Sequence, residues 1–83
     1  FHLSYLFYPD DAREATEVER LSEQMVRRAL RLEGTCTGEH GIGLHKMGYL
    51  VDEAGPAALA AMQRIKRALD PQNIMNPGKV LAV

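Results

Sequence analysis

Only one stretch of this chain, residues 2–8, reads as a β-strand, and a lone strand cannot satisfy its own backbone. His2-Leu3-Ser4-Tyr5-Leu6-Phe7-Tyr8 is dense in aromatic and β-favouring residues and stops at Pro9-Asp10-Asp11. With a period of two, Leu3, Tyr5 and Phe7 share one face, and His2, Ser4, Leu6 and Tyr8 the other. Every N–H and C=O along such a strand needs a partner. The rest of the chain reads as helix or turn. The strand is therefore expected to join a sheet whose other strands lie upstream in a larger protein. Alone, it must be covered by a helix, paired with another copy, or frayed. The expected class is an α+β fragment, helix-rich, with one N-terminal strand, two long helices and a glycine-rich site loop.

Asp10 or Asp11 is placed to cap a helix running to about Leu32, with Gly34 ending it. Val18, Leu21, Met25, Ala29 and Leu32 recur at helical spacing, while Glu19, Arg20, Glu23, Arg27 and Arg31 cover much of the rest. A short helical turn is expected around residues 44–50. Gly55-Pro56 then opens a second long helix with proline at or near its first position. Leu59, Met62, Ile65 and Leu69 mark its expected buried side, and Asp70-Pro71 stops it. Residues 72–83 form a tail punctuated by turn formers.

A chain of 83 residues buries only ~60–65% of its potential surface and holds one modest core. It opens on Phe1-His2, directly in the strand-like run, and is expected to be the C-terminal piece of a larger protein. Ten basic and eleven acidic residues give a net charge of −1, with no basic stripe. That pattern offers no footprint for nucleic acid and no polybasic membrane patch. No apolar run approaches the ~20 residues needed to span a bilayer, and no secretory signal is present in this segment. The lone Cys36 cannot form an internal disulfide, so a reducing compartment is the expectation.

Chemistry concentrates in residues 35–43, Thr-Cys-Thr-Gly-Glu-His-Gly-Ile-Gly. Gly38, Gly41 and Gly43 suggest a backbone turned tightly around Glu39 and His40. A Glu-His pair on a surface loop is most often solvated and inert. Three glycines, with Thr35, Cys36 and Thr37 alongside, add some weight to a functional role, because they allow close approach of a ligand to the backbone. Glutamate supplies a hard oxygen ligand, and a neutral imidazole either binds a metal or takes a proton. Adjacency alone does not separate those roles. Cys36 reads as a small buried residue rather than a nucleophile, since nothing nearby lowers its pKa. His45 and Lys46 follow the loop as supporting or surface residues.

The run Thr-Gly-Glu-His-Gly-Ile-Gly, with Leu69-Asp70-Pro71, Asn73 and Asn76-Pro77-Gly78-Lys79 behind it, resembles the FAD-linked oxidases related to vanillyl-alcohol oxidase. It is most similar to their D-lactate and glycolate dehydrogenase branch, over essentially the whole chain. Thr35-Cys36-Thr37 looks more like the D-lactate side of that branch. The resemblance implies that residues 1–83 belong to the C-terminal substrate domain and that the tail returns to the FAD domain. It implies Glu39 as a ligand of a divalent metal (Zn, Mn or Fe) and His40 as the base for the substrate hydroxyl. Phe1-His2 fits the last two positions of a family His-x-Gly-Asp-Gly-Asn-x-His motif. His2 would then be a second ligand, with the first histidine upstream; alternatively it is a strand-end histidine packed on aromatics. Asn76 is the flavin-proximal candidate, with Lys79 second.

The activity implied by the resemblance is that of an FAD-dependent D-2-hydroxyacid dehydrogenase, with D-lactate as the expected substrate and glycolate or D-2-hydroxyglutarate as alternatives. Flavin does the redox chemistry and the protein orients it. Implied partners are the hydroxyacid, the upstream FAD-binding domain of the same chain, and a quinone, cytochrome or electron-transfer flavoprotein as acceptor, with any substrate-binding arginine also lying upstream. The implied location is mitochondrial in a eukaryote, and cytoplasmic or peripheral to a membrane in a bacterium. The segment alone is expected to be inactive. From a different class comes an interaction module whose strand edge pairs with a partner.

Overall fold

Asp11 sets the chain's first regular element. In the computed structural model, which describes residues 2–83, its carboxylate accepts the backbone N–H groups of Arg13 and Glu14 at 2.9 and 3.2 Å. Those amides are orphan donors of a helix start, and the cap opens α1 (Ala12–Arg31). Glu14 then reaches back to accept the N–H of Tyr8 at 2.8 Å, which fixes how residues 2–8 leave the helix. At the other end Gly34 N–H donates to Ala29 O and Glu33 N–H to Leu30 O, at 2.8 and 3.1 Å. This is a Schellman ending, with Glu33 rather than Gly34 in the left-handed conformation at φ 61°.

The second element, α2 (Met47–Leu69), begins eight residues before the expected Gly55-Pro56 start. The expected start is nonetheless a physical break. Gly55 leaves the helix at φ 78°, ψ 168°, and Pro56 restarts it as the first residue of the next turn. The short turn expected around residues 44–50 is the amino end of this same helix.

The N-terminal strand is not there: residues 2–8 run without a ladder, and no strand occurs among the described residues. The reason is the one that made the strand costly, since no second extended segment exchanges hydrogen bonds with it. Its period of two survives in exposure, with Leu3 and Phe7 at 49% and 40% and Leu6 at 96%. Phe1 lies outside the described residues.

The two helices barely touch. Arg27 of α1 pairs with Asp52 of α2, and its guanidinium lies 5.5 Å from the centre of the Tyr49 ring. Among the described residues burial is confined to Val26, Cys36 and Asp70, so the core sits where α1 meets the 35–43 loop. Ile65 and Leu69, expected on the buried side of the second helix, are 60% and 77% exposed. The chain presents 6711 Å² of surface and has a radius of gyration of 15.2 Å. A self-contained globule of its mass would present ~4,900 Å² and measure ~12 Å. Its apolar faces are not closed by its own residues.

Candidate functional site

The 35–43 loop hangs between the end of α1 and the start of α2 and is held by polar side chains. Gly41 and Gly43 take left-handed φ values of 73° and 56°, which a side chain would strain. Gly38 does not, although its carbonyl accepts the Gly41 N–H at 3.1 Å to close the turn. The Thr37 hydroxyl donates to Gly41 O at 2.6 Å and accepts from Lys46 Nζ at 3.1 Å. Glu53, one helical stretch away, accepts the Cys36 N–H at 2.8 Å and the Thr35 hydroxyl at 3.2 Å. The tail closes the far side, where Val80 N–H donates to Gly43 O at 2.8 Å.

Glu39 and His40 stand at the tip of this loop, and the extended segment carries His2 to them. His2 Nε2 lies 3.1 Å from Glu39 Oε1, and His40 Nε2 lies 3.9 Å from the same oxygen. The two imidazoles meet edge to face with ring centres 5.8 Å apart. One ligand atom from each of the three residues falls within 4.8 Å of the others. Two imidazole nitrogens and a carboxylate oxygen suit several divalent ions. All three side chains are exposed, and they line one cavity of about 530 Å³ with Thr37, Cys36 and Lys46. Hollows of about 660 and 670 Å³ along α1 contain none of the five predicted site residues.

Asn76 and Lys79 do not join that cavity. Asn76 is exposed and turns through a left-handed φ of 46°, and Lys79 Nζ donates to Pro77 O at 3.0 Å. Their turn is braced from α2 by Asp70, whose carboxylate accepts the N–H groups of Ile74 and Met75 at 3.0 and 2.9 Å. Lys66 pairs with Asp70 and donates to Met75 O at 2.6 Å. The Lys66 hydrogen bond, followed by those backbone amides, holds the Asp70 carboxyl below the usual carboxylate range.

Cys36 is 4% exposed, and burial together with the Glu53 carboxylate pushes its thiol up to about 11. A neutral, buried thiol is a poor nucleophile, in keeping with the sequence reading. Glu53, the anchor of the loop, went unread in the sequence. Its hydrogen bonds, the Cys36 thiol first among them, lower its own carboxyl. Nothing in the Asp52-Glu53 pair marks it, because its role depends on the start of α2 lying beneath the loop.

Residues 1–80 match the family described as FAD linked oxidases, C-terminal domain, and the chain belongs to that family. It is 51% identical over 81 residues to the probable mitochondrial D-lactate dehydrogenase of Danio rerio. It is 52% identical over 81 residues to the mitochondrial D-lactate dehydrogenase [cytochrome] of Arabidopsis thaliana. The glycolate oxidase subunit GlcD of Bacillus subtilis is 41% identical over 75 residues. These alignments cover 98%, 98% and 87% of this chain but 16%, 14% and 16% of the relatives. No helix among the described residues is long and apolar enough to cross a membrane.

Proposed function

We propose that this chain is the C-terminal part of an FAD-dependent D-2-hydroxyacid dehydrogenase that oxidises D-lactate to pyruvate, and that the segment alone is inactive. The observation that carries the reading is the meeting of His2, Glu39 and His40 on one cavity. The relatives named D-lactate dehydrogenase at 51% and 52% identity support the choice of substrate. When bound, FAD supplies the hydride acceptor and a divalent ion a Lewis acid. His2 and Glu39 would hold that ion (Zn, Mn or Fe), with a further histidine from upstream. His40 takes the hydroxyl proton at Nε2 as the α-carbon gives up its hydride, so lactate loses two electrons and two hydrogens. Asn76 and Lys79 would hold the flavin through their amide and ammonium donors. The electron acceptor would be a quinone, cytochrome or electron-transfer flavoprotein, in a mitochondrion if the source is a eukaryote.

A second assignment of the same cluster is favoured by its spacing: with all three ligand atoms inside 4.8 Å, His40 itself completes the metal set. Metal analysis of His40→Asn separates the two, since a base can be lost with the ion retained and a ligand cannot. The substrate is tested by anaerobic flavin bleaching in the full-length protein with D-lactate, glycolate and D-2-hydroxyglutarate. Rapid bleaching by D-lactate alone is expected. If none of the three bleaches a protein with FAD and metal bound, the hydroxyacid reading is wrong.

A further inference from the structure

We infer that Lys46 is a carboxylate-binding cation of this site, its ammonium receiving the anionic end of a small 2-hydroxyacid whose hydroxyl faces His40. The inference rests on the hydroxyacid reading above and adds to it a binding group that the motifs do not supply.

Three observations carry it. Lys46 lines the cavity of His2, Glu39 and His40, and no other lysine or arginine does. Lys46 also borders the neighbouring hollow along α1, but its ammonium donates to Thr37 Oγ1, an atom of the site loop that lines the first cavity and not the second. The Thr37 proton is committed to Gly41 O, so its oxygen faces the lysine as an acceptor. Finally, among the described residues Lys46 has no carboxylate partner, whereas Lys66 is paired with Asp70 and Arg27 with Asp52. The nearby Glu53 carboxylate is engaged by Cys36 and Thr35.

The Lys46 ammonium is half-buried and gives one of its three N–H bonds to a protein acceptor. A carboxylate entering the cavity would take the other two with charge-assisted hydrogen bonds. In a 2-hydroxyacid the carboxylate and hydroxyl sit on adjacent carbons, so the cation and the base must share one pocket, as Lys46 and His40 do. Lys46 is thereby a determinant for an acid over the corresponding neutral alcohol.

The test compares wild type, Lys46→Met and Lys46→Arg in the full-length, flavin-loaded protein. Calorimetry with oxamate, a small monoanion, and with neutral oxamide measures binding without turnover. Stopped-flow bleaching with D-lactate and with neutral D-lactamide measures the reaction. Lys46→Met should weaken oxamate about tenfold or more and raise the half-saturating D-lactate concentration by a similar factor. Its effect on the limiting rate should be much smaller, oxamide and D-lactamide should be unaffected, and Lys46→Arg should restore most of the loss. Equal losses for charged and neutral ligands would reduce Lys46 to a prop for Thr37 and overturn the inference. Unchanged oxamate binding in Lys46→Met, or none in wild type, overturns it too. A wild type that binds oxamate through Lys46 yet is bleached by no hydroxyacid sinks the dehydrogenase reading and leaves the anion site standing.

Discussion

The site loop and the apolar faces of this chain are finished to very different degrees. Residues 35–43 find their hydrogen-bond partners inside the chain, from Lys46, Glu53 and Val80, and are tied on three sides. Residues 2–8 and the outer side of α2 carry Leu6, Ile65 and Leu69 into the open, with none of the described residues covering them. The contrast follows from what each requires. A polar tie needs only one donor and one acceptor close in space, and a single side chain or amide brought to the loop by the fold supplies it. An apolar face needs a matching surface of its own size. In this segment the loop is held by a few single polar ties, while the apolar faces stay open.

The sharpest way to break this comparison is at the loop tip. His40→Asn should leave flavin bound in the full-length protein and slow its reduction by D-lactate about 10²–10⁴-fold, the usual weight of a general base. Reduction at the wild-type rate in a stopped-flow trace would remove His40 from the chemistry. Next comes the open face. Leu6, 96% exposed in this chain, should be covered in the full-length protein. Leu6→Asp should then cost the whole protein about 2–4 kcal/mol in a denaturant titration. An unchanged midpoint would mean that the face stays bare.

A smaller effect is expected at the loop's anchor. Glu53→Ala leaves the Cys36 N–H without its acceptor, which costs about 1–2 kcal/mol locally. Amide exchange at Cys36 should accelerate roughly tenfold. The same variant should make the Cys36 thiol easier to alkylate at fixed pH, because the Glu53 charge helps hold that thiol at about 11. The mildest prediction concerns the tail. Asp70 has its folded-state pKa lowered, chiefly by the Lys66 hydrogen bond. The unfolded chain therefore takes up that proton first as pH falls. The Asp70 contribution to stability is complete above the ordinary carboxylate range and fades as pH drops through the folded value. Exchange at Ile74 and Met75 should quicken in acid, and Asp70→Asn should flatten that dependence.

Much of this was legible in residue order. Asp11 as a cap and the tight turn at Gly41 and Gly43 each depend on neighbours within a few positions, and each is realised, whereas Gly55-Pro56, expected to start a helix, interrupts one that begins at Met47. Family membership was also readable, because the Glu39-His40 loop and the Asn76–Lys79 ending are contiguous strings whose order is itself specific. The strand at residues 2–8 was misread for the opposite reason, since strand formation belongs to a pair of segments and this chain supplies one. The expected burial of Ile65 and Leu69 failed in the same way: helical periodicity marks an apolar side without saying what lies against it.

Sequence by itself determined the local parts: where α1 starts, which loop carries a carboxylate beside an imidazole, and to which family the chain belongs. Only the tertiary structure decided what those parts meet. It brought His2 to Glu39 across 37 positions of chain, set Glu53 under Cys36, and turned Lys46 toward Thr37 in the cavity of His40. Contacts of the first kind are closed by backbone geometry over a few residues. Those of the second kind depend on how α1, the loop and α2 settle in space, which no local pattern encodes.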